Sequence, residues 1–140
     1  MEQLIEFIGN NLLLSVAFLV VSAMLAQNIY ADISSGNNID TQDATDLINR
    51  ENAIVIDVRP MADFNKGHIL GARNIPMSSL SKQLAQLEKH KNVPIIMSCR
   101  SGAQSGVACK QLRKEGFEKV YNLRGGIMAW SSANMPTTTK

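Results

Sequence analysis

Cys99 and Cys109 are the two cysteines of a 140-residue chain, and neither belongs to a Cys-x-x-Cys pair of the zinc-binding kind. Their settings differ. Cys99 follows the apolar run Pro94-Ile-Ile-Met-Ser98 and opens the stretch Cys99-Arg-Ser-Gly-Ala-Gln-Ser105, which carries no large apolar side chain. A loop leaving the C-terminal end of a central strand is where open α/β sheets bind ligands. Gly102 permits the backbone angles of a tight cradle, whose successive N–H groups form a nest for an anion. The helix that follows adds the positive end of its dipole. A thiol facing those donors, with Arg100 beside it, is predicted to have a lowered pKa and to act as a nucleophile. The candidate site is therefore Cys99 as the catalytic group, with Arg100, Ser101, Gly102, Ala103, Gln104 and Ser105 binding substrate. A buried, inert cysteine is the rival reading, and the polarity of the loop argues against it.

Other residues with chemical potential read more plainly. Cys109 lies ten residues on, inside a helix, and reads as a small hydrophobe of the core. His68 has the right chemistry for a base, but a thiolate at a helix N-terminus needs none, so a turn-stabilising role is expected. His90 is expected to be solvated at a polar helix end. Asp57 and Arg59 are expected to pair and hold the loop framework.

The elements that must position these groups alternate in type. Asp40 or Thr41 can cap a helix with Ala44, Leu47 and Ile48 on one face. Ala53-Ile-Val-Ile-Asp57 reads as a buried strand, being continuous and β-branched. Pro76 and Ser78 or Ser79 open a helix carrying Leu80, Leu84 and Leu87. Pro94 to Ser98 is the next strand, Gly106 to Glu115 the next helix, and Gly116 its left-handed terminus. Val120-Tyr-Asn-Leu123 is a last strand before Gly125-Gly126 and a short helix around Ala129 and Trp130. This alternation predicts a parallel sheet covered on both faces. No internal repeat or low-complexity tract appears.

The N-terminal part is different. Residues 1–49 hold six acids and no Lys or Arg, net −6, while residues 50–140 hold all 14 basic residues against six acids, net +8. Leu12 to Ala26 is an uncharged apolar run of 15 residues, and extending it to Tyr30 gives 19 and an aromatic suited to a membrane interface. Three readings compete. A cleaved signal peptide wants a basic start, and this one carries Glu2 and Glu6. A core helix wants a polar face, and this run is apolar all round. A transmembrane anchor fits best. The reading is an anchor in residues 1–31, with its helix at about 12–30, a polar linker at 32–38 and a soluble domain at 39–140. Because Lys and Arg resist translocation, the N-terminus is expected outside and the domain in the cytoplasm.

Four stretches of the soluble part then resemble a known family. Gly67-His-Ile-Leu-Gly-Ala-Arg-Asn-Ile-Pro76 looks like its "GHI-x-GA-x-N-IP" signature, and Asp57-Val-Arg59 like its strand-end motif. Cys99 to Ser105 resembles its active-site loop, and Leu123-Arg-Gly-Gly-Ile-Met-Ala-Trp130 its C-terminal "L-x-GG-x-x-x-W" motif. From about Ile39 to Met135 the sequence is similar to single-domain rhodanese-like sulfurtransferases, and with its anchor to a membrane-tethered bacterial subgroup. The resemblance implies an α/β fold with a five-stranded parallel sheet and helices on both faces, preceded here by one N-terminal transmembrane helix. It also implies a cysteine, matching Cys99, that carries sulfane sulfur as a persulfide from a donor such as thiosulfate to cyanide or a thiol. No metal or organic cofactor is implied. The expected partners are a small anionic sulfur donor, a thiol acceptor, the inner membrane and other membrane proteins, with no nucleic acid.

Two other functions compete with this one. Phosphatases with a cysteine loop clamp phosphate with an Arg six positions after the nucleophile, and that position is Ser105 here. A non-enzymatic docking or regulatory module for membrane proteins is the stronger rival, though such modules often lack the cysteine, and Cys99 and Arg100 are both present.

Overall fold

The computed structural model describes residues 1–34 and 37–140, and the chain falls into two compact units, Met1–Gly36 and Asn37–Lys140. In the first unit, helix α1 spans Glu2–Asn10 and α2 spans Leu12–Ser34. Asn11 interrupts them: its backbone N–H and its side-chain amide both donate to Phe7 O, at 3.0 and 3.1 Å. Within α2 the apolar stretch Leu12–Tyr30 shows Leu13 87% and Phe18 71% exposed, and none of its most apolar window is buried among the described residues. Helix α1 goes beyond the single N-terminal helix that the sequence predicts. Helix α2 also runs past Tyr30, taking in three residues read as linker; Ser35 and Gly36 of that linker lie outside the described residues.

The second unit is an α/β layer structure. Its elements are β1 (Asn38–Ile39), α3 (Thr41–Glu51), β2 (Ile54–Asp57), α4 (Met61–Asn65), β3 (His68–Ile69) and β4 (Arg73–Asn74). There follow α5 (Leu80–Leu87), β5 (Ile95–Ser98), α6 (Ala103–Lys114), β6 (Val120–Leu123), α7 (Gly126–Ser132) and β7 (Thr137–Thr138). Five strands pair in the order β1-β6-β5-β2-β4, every pair parallel. A separate antiparallel pair, β3 with β7, was not expected from sequence.

Period-two alternation explains why β2 and β5 read as continuous apolar runs, because both faces of the sheet are covered. Ile56 and Met97 point to one side, where Leu80 and Leu87 of α5 and Ala108 and Leu112 of α6 complete a core. Val55 and Ile96 point to the other, against Ala44 of α3 and Ile127 and Trp130 of α7. Fully burying an aliphatic side chain of this size contributes about 1.5–3 kcal/mol, so the two clusters together hold the central strands rigid. Asp40 caps α3 by accepting from Asp43 N–H at 2.9 Å.

One boundary needs correcting. Helix α6 begins at Ala103, three residues before the expected Gly106, because Gly102 at φ +95° turns the chain directly into the helix. Ala103, Gln104 and Ser105 therefore form its first turn. Gly116 is left-handed as expected, with φ +88°.

Candidate active site

Cys99 follows β5 at the C-terminal edge of the sheet, between the ends of β2 and β6. Its residue is 2% exposed. The thiol sulfur accepts from Gly102 N–H at 3.1 Å and from Ser105 Oγ at 3.3 Å. Helix α6 has no side chain capping its first turn, and the sulfur accepts backbone N–H groups there in place of one. Burial alone pushes the Cys99 thiol up. The Ser105 hydroxyl and the backbone N–H groups of Ser105, Gly102 and Ser101 outweigh it and bring the pKa below its ordinary value.

The cradle is built from outside the loop as well. Gly125 and Gly126, at φ +74° and +54°, turn the chain after β6 so that α7 starts against the loop backbone. There Ile127 N–H donates to Cys99 O at 2.8 Å and Met128 N–H to Arg100 O at 3.2 Å. With the Cys99 and Arg100 carbonyls held by α7, the N–H groups of Ser101 and Gly102 face the sulfur. Asn122 of β6 supports the other side: its Nδ2 donates to Gly102 O at 3.0 Å, and its Oδ1 accepts from Ser105 Oγ at 2.6 Å.

Of the expected loop residues, Ser101, Gly102 and Ser105 face the Cys99 sulfur, and the loop's exposure is unequal. Ser105 is fully buried, while Arg100, Ser101, Ala103 and Gln104 are exposed and Gly102 is half-buried. Arg100 lines a cleft of about 380 Å³ with Arg59, Lys66, Met128, Ser131 and Thr137. Gln104 lines another, of about 430 Å³, against Pro60, Met61 and Met77. The Arg100 cleft carries three cations and the Asp63 carboxylate, and the Gln104 cleft is uncharged.

Asp57 and Arg59 form a buried ion pair. Arg59 Nη2 lies 2.7 Å from Asp57 Oδ2, Nε donates at 3.0 Å, and Nη2 also donates to Gly67 O at 2.8 Å. His68 stacks on Phe64 at 3.6 Å and shares a hydrogen bond between Nδ1 and Phe64 O at 2.8 Å, a local fastening of the α4–β3 turn. Cys109 is buried in the core and its thiol is pushed up to about 12 by burial, which leaves it protonated and inert. His90 is not simply solvated: it is half-buried and shares a hydrogen bond with Arg73 at 3.0 Å, while partial burial and that guanidinium lower its pKa.

Asn122 and Gly126 join the site beyond the residues that the sequence predicts. The signal for Asn122 was a polar residue in an otherwise buried strand; for Gly126 it was the second glycine of the pair after that strand.

A five-stranded parallel sheet with a cysteine loop opening a helix at its carboxyl edge defines an α/β protein whose thiol is held by loop donors at that edge. The chain belongs to the rhodanese-like family: residues 40–133 match the family model described as "Rhodanese-like domain". It is 34% identical to the Escherichia coli K12 protein YibN over 138 residues, covering 97% of this chain and 96% of that one. A protein of Allochromatium vinosum named "Sulfurtransferase" is 35% identical over 101 residues, covering 71% of this chain and 92% of its own length. Among solved structures, a rhodanese-related protein from Thermoplasma volcanium superposes with a TM-score of 0.67 at 26% identity, covering 74% of this chain and 99% of that one.

Proposed function

We propose that the protein is a membrane-tethered sulfurtransferase that carries sulfane sulfur on Cys99. One observation bears most of the weight: the Cys99 sulfur accepts hydrogen bonds from Gly102 N–H and Ser105 Oγ at the start of α6. The Cys99 thiolate attacks the outer sulfur of a donor such as thiosulfate. A Cys99 S–S bond forms as the donor's S–S bond breaks, and that bond's electron pair leaves with sulfite. An acceptor thiolate or cyanide then attacks the outer sulfur of the persulfide, and Cys99 departs again as thiolate. The same N–H groups hold the negative charge at each stage. Ser101, Ala103 and Gln104 shape the cradle, and Arg100 at the cleft attracts the anionic donor.

The tether rests on the 19 residues Leu12–Tyr30, long enough to cross a bilayer with little tilt. The absence of Lys and Arg before Arg50 supports an outside N-terminus and a cytoplasmic domain at the bacterial inner membrane. The test is a thiosulfate:cyanide assay on the full chain in detergent, with intact mass measured after donor alone. Thiocyanate release and a mass gain of one sulfur atom are expected. A chain that gains no sulfur from thiosulfate or from an inorganic polysulfide would overturn the reading.

A further inference from the structure

The Ser105 hydroxyl has one proton and two acceptors within reach, Asn122 Oδ1 at 2.6 Å and Cys99 Sγ at 3.3 Å. Asn122 cannot turn aside. Its Nδ2 donates to Gly102 O at 3.0 Å and to Asn38 Oδ1 at 2.9 Å, and Asn38 stands opposite it in the β1–β6 register. Flipping the amide would set its oxygen against both acceptors and its NH₂ against the Ser105 proton. Ser105 is 0% and Asn122 9% exposed, so bulk water offers no ready substitute for either partner.

The consequence depends on the charge of the sulfur. While Cys99 is a thiol, Ser105 donates chiefly to Asn122 Oδ1, the nearer acceptor at 2.6 Å, and only weakly to the sulfur at 3.3 Å. Once the sulfur is anionic, the same proton is drawn to it, and Asn122 Oδ1 competes. We propose that Asn122 is a positioning residue which, by fixing the Ser105 hydroxyl and the Gly102 carbonyl, sets how far the Ser105 proton turns toward the Cys99 sulfur and so what fraction of Cys99 is thiolate. Asn122 touches no substrate in this scheme and acts through Ser105 and Gly102. The charged and titratable groups on the surrounding elements are Arg100 of the loop, Cys109, Lys110, Arg113 and Lys114 of α6, the Asp57–Arg59 pair at the end of β2, Tyr121 of β6 and Arg124 after it. All of these are left in place by the test below. The inference rests on the sulfurtransferase reading for its catalytic meaning, but not for its chemistry.

The experiment is a double-mutant cycle of Asn122→Asp and Ser105→Ala in the full chain in detergent micelles, read by the pH dependence of iodoacetamide alkylation of Cys99. An aspartate holds the Ser105 proton more tightly and withdraws the donor from Gly102 O. Asn122→Asp alone should cut the thiolate fraction at neutral pH about tenfold, moving the alkylation profile upward in pH. In the Ser105→Ala background the same change should cost about threefold or less, since only the added charge and the lost Gly102 contact remain. Equal losses in both backgrounds, or none in either, would overturn the proposal.

A second readout needs no change at Asn122. In the wild-type chain, the Asn122 side-chain amide resonances should shift with the inflection that alkylation reports, and Ser105→Ala should remove most of that shift. Resonances that stay flat through the Cys99 titration would overturn the proposal even if Asn122→Asp fails to fold. Alkylation requires no sulfur donor, so the two readings fail separately. Coupling in a chain that never accepts sulfur would sink the enzyme and keep the proton switch. Turnover with an uncoupled cycle would do the reverse.

Discussion

The backbone N–H of Ile127 donates to the carbonyl oxygen of Cys99 at 2.8 Å, tying the start of α7 to the residue that carries the sulfur. That approach is possible because residue 126 is glycine. A Cβ there would collide with Cys99 O and stand 2.7 Å from the carbonyl atoms of Arg100, and its φ of +54° disfavours a side chain in any case. Gly126→Ala should push the loop away and misdirect its N–H groups. A displacement of about 1 Å at a reacting centre costs on the order of 100-fold in rate. Thiosulfate turnover should fall by that order while the far-ultraviolet circular dichroism stays native. Unchanged turnover would show that the loop tolerates the shift.

The two cysteines should behave as opposites. Cys99→Ser should abolish the mass gain from thiosulfate, because a serine hydroxyl accepts no sulfane sulfur. Cys109→Ala should keep most activity and lose roughly 1 kcal/mol of stability for the small cavity. The lowered Cys99 pKa fixes the sign of the pH dependence: alkylation should rise with pH and level off below the range of an ordinary thiol. Cys109, pushed up to about 12, should stay unlabelled in the native chain throughout. Turnover that required Cys109 would replace the single-cysteine scheme with a disulfide route.

Asp57 and Arg59 should matter through stability. Asp57 is 1% exposed, and Arg59→Met would leave its carboxylate buried without its partner. Breaking a buried pair from one side costs about 3–5 kcal/mol. The denaturation midpoint should drop accordingly, with Arg59→Lys falling in between because a lysine cannot reproduce the forked contact. A midpoint equal to that of the parent chain would mean that water replaces the guanidinium.

For the N-terminal unit the expected outcome is membrane fractionation that resists alkaline carbonate. Protease added to intact spheroplasts should leave the second unit uncut. Digestion of that unit from outside would reverse the orientation, and release by carbonate would remove the span.

The sequence made some of this legible and hid the rest for physical reasons. Val55, Ile56, Ile96 and Met97 announce strands because both faces of the sheet are buried, and Cys99 stands out where apolar pattern gives way to a glycine loop. The β3–β7 pair was hidden because two-residue strands carry no period, and the register joins His68 to Thr138 across most of the domain. The start of α6 was misplaced because its first turn is capped by a sulfur and a left-handed glycine instead of the usual Ser or Asp. Asn122 was hidden for another reason: its two roles depend on Gly102 and Ser105, brought to it by folding.

Arg100 separates recognition of an anion from support of the loop. Its side chain is exposed and lines the cleft, and its charge is effectively permanent. Thiosulfate is a dianion whose departing sulfite gains negative charge, so a guanidinium at the cleft should assist binding and departure together. A charge-assisted hydrogen bond is worth roughly 1.5–3 kcal/mol, or on the order of 10- to 150-fold in kcat/KM. Exposure to solvent moves the loss toward the lower end, about tenfold. Arg100→Ala should therefore weaken thiosulfate use about tenfold while a neutral organic trisulfide donor loses much less. Its carbonyl bond to Met128 N–H is a backbone contact that the substitution preserves, so the loop should stay in place. Equal losses with both donors would mean that Arg100 shapes the loop. No loss with either would mean that the guanidinium faces away from the sulfur.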